Sequence, residues 1–172
     1  MDINTARIIL TKMQGCFKEL NIPLINESEM LNIEGFSDAI MFRSWFEKNG
    51  NLAELLAFVV PSHGIVQLTM NYNQNIEDFD ESTIRNLLSL LNAINNSDST
   101  FYLLFCPEAA KLEFRTAYYL AGNQLGEKQF KSLLGKFFNQ GPLYYKYFRR
   151  LINYSEDPNV MFYEMQVELN AM

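Results

Sequence analysis

The chain has 172 residues, 48% of them hydrophobic, with fourteen Phe and nine Tyr. That suits one domain, residues 1–172, with a core that needs no disulfide or metal staple. A net charge of −6 repels phosphate, so neither nucleic acid nor an anionic membrane is expected as a partner.

No apolar run approaches the roughly 20 residues that cross a bilayer. Met1-Asp2-Ile3-Asn4 lacks the basic and apolar pattern of a leader. A cytoplasmic location is the expectation.

Residues 4–20 read as a helix, with Ala6, Ile9, Leu10, Met13, Phe17 and Leu20 at three- and four-residue spacing and Asn4 as its cap. Residues 24–38 are polar and patternless, a connection with a short extended piece. The period then changes to two. Ala39–Phe46 reads as a strand, Asn49-Gly50 as a tight turn, Leu55–Val60 as a strand buried on both faces, and Ile65–Tyr72 as an alternating strand.

Asp78 or Asp80 can cap a second helix, whose apolar stripe is Ile84, Leu87, Leu88, Leu91 and Ile94. Leu90 widens that stripe, so this helix should pack against two neighbours. Thr100–Cys106 and Lys111–Tyr119 form a second hairpin. Helices are expected over 127–138 and 142–153, with Gly141-Pro142 between them, and Asp157-Pro158 opens a helical tail. The fold class is therefore α+β. A five-stranded antiparallel sheet lies in the order α-βββ-α-ββ-α(α), with helices on one face or at its ends.

Charge is uneven along the chain. Lys128, Lys131, Lys136, Lys146, Arg149 and Arg150 stand against Glu127 alone within 126–150. That stretch is a solvated helix face, or a patch for an acidic partner such as the acidic half of a second copy.

Little in the chain suggests catalysis. His63, the only histidine, falls at a hairpin tip, and the two cysteines, Cys16 and Cys106, fall in a helix and a strand. Only the fold could bring a thiol to that imidazole. Glu77, Asp78, Asp80 and Glu81 cluster without the spacing of a calcium loop, and suit the start of a helix. Gly122 and Gly126 lack the Lys-Ser/Thr pair of a phosphate loop. No catalytic, metal or cofactor-binding residue is assigned, and no cofactor is expected.

Two stretches carry a family resemblance. One is the helix ending Leu91-Asn92-Ala93-Ile94-Asn95 before the second hairpin. The other is the aromatic strand with Arg43-Ser44-Trp45-Phe46. Together with the order of elements over about residues 4–152, they make the chain resemble the YbjN family of bacterial sensory transduction regulators, which has a type III secretion chaperone-like fold. The tail beyond about residue 155 departs from that common core.

The resemblance implies a bacterial, cytoplasmic, dimeric domain without catalytic residues. It places a dimer or partner interface at Ile84, Leu87, Leu88 and Leu91. Trp45, which alternates out of register with Phe42 and Phe46, is a further interface candidate. The expected function is that of a non-enzymatic protein-binding module, regulatory or chaperone-like, acting as a homodimer. The alternatives are a dedicated type III secretion chaperone for an effector, and a small-ligand binder or enzyme built on a deep pocket.

Overall fold

A computed structural model of the chain describes residues 3–32, 39–48, 50–73, 80–98, 100–106, 111–122 and 124–172. Among these residues are helices α1 (Ile3–Glu19), α2 (Glu81–Ser97), α3 (Glu127–Tyr154) and α4 (Pro158–Asn170). The strands are β1 (Leu24–Asn32), β2 (Ile40–Lys48), β3 (Asn51–Val60), β4 (Ile65–Asn73), β5 (Phe101–Cys106) and β6 (Lys111–Tyr119). They form one sheet in the order β1-β2-β3-β4-β6-β5, antiparallel at every pairing.

The α+β class and the antiparallel sheet are as expected, but the sheet has six strands. The additional one is β1, in the stretch read as a connection. It lies at an edge, pairs only with β2, and breaks register between Ile25 and Glu29. An edge strand tolerates a polar sequence without alternation, so periodicity gave no sign of it.

A second correction concerns β3, which is buried on one face only. Ala53, Leu55, Ala57 and Val59 are buried, and the residues between them are not. A third concerns Asn4, which lies within α1 rather than capping it.

The helices pack on the face that carries Phe42, Phe46, Leu55, Leu68, Phe114 and Leu103. Aromatic contacts join the layers: Phe17 to Phe42 at 5.8 Å, Phe138 to Phe46 at 4.8 Å, Tyr145 stacked on Tyr72 at 4.0 Å, and Phe137 stacked on Phe114 at 4.9 Å. Three of these four pairs put α3 against the sheet.

Helix α3 also runs straight through Gly141-Pro142, where a break was expected. Gly141 explains why the pair is there. A Cβ on it would meet the Phe114 ring at 2.9 Å and Met70 Sδ at 3.1 Å. The missing side chain lets the helix approach the sheet.

Pro142 has no N–H to give to the carbonyl of Phe138, four residues before it. Lys48 Nζ reaches across from β2 and donates to that oxygen at 3.4 Å, and to Asn139 Oδ1 at 2.9 Å. The lost helical bond is replaced from the sheet, and the helix continues.

Helix α2 is capped by Asp80, whose carboxylate accepts from Thr83 N at 2.6 Å; Glu77 and Asp78 lie outside the described residues. It lies along the β5 edge and against α4, and buries Leu87, Leu90, Leu91 and Ile94. Asn95 fixes it there. Its carboxamide accepts from Leu103 N at 2.8 Å and donates to Leu103 O at 2.9 Å, as a neighbouring strand would.

At the other end of the chain, Ser155 in the left-handed region closes α3. Asp157 caps α4, accepting from Asn159 N at 2.7 Å.

Two glycines of α3 should respond oppositely to substitution. Gly141→Val should lower stability by about 1–3 kcal/mol, because Phe114 and Met70 must move. At Gly135 a Cβ meets nothing within 4 Å, so Gly135→Ala should raise stability by about 0.5–1 kcal/mol. Urea unfolding of both variants checks the pair of signs.

Candidate functional site

Among the described residues, the sheet face turned away from the helices is the one that no helix or strand covers. Strand pairing lays its side chains out in rows. One row reads Trp45, Glu54, Asn71, Glu113, Leu104 across β2, β3, β4, β6 and β5. The next reads Arg43, Leu56, Thr69, Arg115, Tyr102. Along an antiparallel sheet covered on one side, outward positions are usually polar. Here Trp45 and Leu56 are half-buried, and Tyr102, Leu104, Leu52 and Tyr119 are exposed, Tyr119 to 76%.

Between the apolar positions runs an ionic belt. Arg43 donates through Nε to Glu54 Oε1 at 2.8 Å, and Asn71 Nδ2 donates to Glu54 Oε2 at 2.9 Å. On the other side of β4, Glu113 is held by Lys111 at 3.0 Å and by Arg115. Burial alone would raise the Glu113 carboxyl; Lys111 and Arg115 outweigh it and hold the group below the usual carboxylate value. Asn71 and Thr69, at the centre, are buried beneath these longer side chains. Arg43 also lies 5.8 Å from the Trp45 ring centre, within range of a cation–π contact.

The expected interface residues divide between the two sides of the molecule. Trp45 lies on the open face. Leu87 and Leu91 are buried in the domain's own core, Ile84 is half-buried, and Leu88 is 45% exposed on the outer side of α2. The helix stripe therefore serves the core first, and only Leu88 clearly turns outward.

The sequence reading passed over Tyr102, Leu104 and the Glu113–Arg115 pair. One signal was there: a continuous apolar run such as 101–105, in a sheet covered on one face, must expose alternate residues.

Three of the six cations of the basic stretch pair with acids among the described residues. Lys131 pairs with Glu19, Lys146 with Glu168, and Arg150 with Glu156 and Glu164. Three of these four acids come from α4 or the turn before it, so the tail supplies the counter-charges. The Tyr147 hydroxyl, pushed up to about 12 by burial and by its bond to Glu168, belongs to the same group.

The fold does not bring Cys106 to His63. They lie at opposite ends of the sheet, beyond the two ends of the 111–119 strand, about 26 Å apart by strand rise. Cys16 is buried, which raises its thiol. Among the described residues no group of three His, Cys, Asp or Glu could hold a metal ion, and no helix is long and apolar enough to cross a membrane.

The fold thus defines an α+β protein with a one-sided antiparallel sheet. Comparison with family models, with curated proteins and with solved structures finds no match to this chain.

A carboxyl held low in the folded state stabilises the fold above its ordinary value of 4.5, and that contribution is lost as pH falls through the lowered value. Glu113→Gln should therefore cost about 1 kcal/mol at pH 7. The variant should also show a shallower loss of stability below pH 4.5 than the parent. Urea midpoints across that range measure both.

Proposed function

We propose that the chain is a non-enzymatic protein-binding module, regulatory or chaperone-like as its resemblance to the YbjN family implies. We further propose that it acts as a homodimer joined through the open face of the sheet. The observation that carries this reading is the chemistry of the two central rows.

A two-fold axis running across the strands between those rows lays each strand over its own copy. Trp45 then faces Arg43 of the second copy, Glu113 faces Arg115, Leu104 faces Tyr102 and Glu54 faces Leu56, while Asn71 and Thr69 lie buried beneath the longer side chains. These are a cation–π pair, an ion pair, an apolar pair and one pair of a carboxylate with an apolar side chain. Packed sheets cross at about 30°, which displaces the edges but leaves β4 over β4.

The area is also adequate. Six strands about 4.8 Å apart, each about eight residues long, make a face of roughly 29 by 26 Å, about 750 Å² before side-chain relief. Standard interfaces need about 800 Å² of accessible surface per partner. The stripe on α2 is the less suitable surface, because Leu87 and Leu91 are already used by the core.

Light scattering after size exclusion tests this reading. The parent should be a dimer at micromolar concentration. Leu104→Glu and Tyr102→Glu, both at exposed positions, should be monomers with unchanged circular dichroism and melting. A parent that stays monomeric up to high concentration removes the homodimer. Variants that remain dimeric move the interface away from this face.

A further inference from the structure

On the helical side of the sheet, the turn after α1 and the middle of α3 enclose a cleft of about 380 Å³. Its floor is made by Phe46, Leu134 and Phe138, all buried, and its rim by Leu20, Ile22 and Pro23. Gly135 lies in its wall, with open space where a side chain would be. Glycine weakens a helix interior, and nothing crowds this position to require it. Its effect is to keep the cleft from being filled by the helix itself.

One end of the cleft is polar. Lys48, which lines it, gives two of its three N–H donors to Phe138 O and Asn139 Oδ1. Among the described residues no carboxylate pairs with it. The ammonium is held in place from behind by the carbonyl that Pro142 releases, and keeps one donor for another acceptor. Asn139 lines the same end and has an amide N–H₂ to offer.

We infer that this cleft binds a medium-chain apolar monocarboxylate. Its chain lies on Phe46, Leu134 and Phe138, and its carboxylate on Lys48 and Asn139. The volume is near the lower end of the range for small-molecule sites, about 300–1,000 Å³. That admits one chain and excludes a two-tailed lipid. A single cation matches one carboxylate and not a di- or triphosphate. The cleft and the open face lie on opposite sides of the sheet, so this site is independent of the proposed self-association.

The test is a titration of the isotope-labelled whole chain with octanoate and, separately, octanol, followed by amide chemical shifts. Octanoate should give saturable shifts at Ile22, Lys48 and Gly135. Octanol should bind at least about tenfold more weakly, for want of the charge-assisted bond. Lys48→Met should reduce octanoate to the level of octanol. Gly135→Leu, which fills the cleft, should abolish the shifts from both while the melting temperature holds.

Equal affinity for acid and alcohol overturns the anchoring by Lys48. Absence of saturable shifts at these residues, or shifts that persist in Gly135→Leu, overturns the site. Should Lys48→Met fail to fold, the difference between acid and alcohol in the parent still decides the question.

Discussion

Helix α3 can lie against the sheet only because residue 141 has no side chain. The contacts of Phe137 with Phe114 and of Tyr145 with Tyr72 require the helix axis to come close, and close packing of large rings leaves no room for adjustment. The neighbouring proline follows from the same economy: a helix that must continue through Pro142 needs a donor for the Phe138 carbonyl, and the sheet provides Lys48. So one absent side chain sets the spacing of the layers. One absent N–H sets the position of a lysine, and that lysine gives the cleft its only charge among the described residues.

The one-sided layering has its own consequence. Because the helices gather on one face, part of the charge on that side is balanced within the chain, through Glu156, Glu164 and Glu168 against Lys146 and Arg150. Exposed pairs of this kind contribute little singly, but together they join α4 to α3. The opposite face settles its charges too, within the Arg43–Glu54–Asn71 and Glu113–Arg115 groups. What stays unsatisfied there is apolar area, around Tyr102, Leu104 and Tyr119, and two buried polar atoms, Asn71 Oδ1 and Arg115 Nε.

Much of this fold was legible in the sequence because periodicity is a local signal. Trp45 was placed on the opposite side of its strand from Phe42 by alternation alone, and the Asp157-Pro158 start of α4 by its cap and first-turn proline. Three features were not legible. The strand 24–32 has no apolar alternation, since an edge position does not demand one. The run through Gly141-Pro142 depends on a contact with Phe114 and a donor from Lys48, both distant in the chain. The inward turn of Leu87 and Leu91 could not be told from an outward stripe, because an amphipathic helix looks the same whether its apolar face meets its own core or a partner.

The carboxamide of Asn95 bears on how the chain reaches this state. It is separated from Leu103 by eight residues, so the bond closes a short loop at small entropic cost. It occupies the middle of the outer edge of β5, whose inner edge is taken by β6. Without either partner, a bare strand of sequence Phe-Tyr-Leu-Leu-Phe-Cys would be a template for the same strand in other molecules. A single asparagine side chain leaves it only one edge open, and the segment that fills that edge is the next to be made.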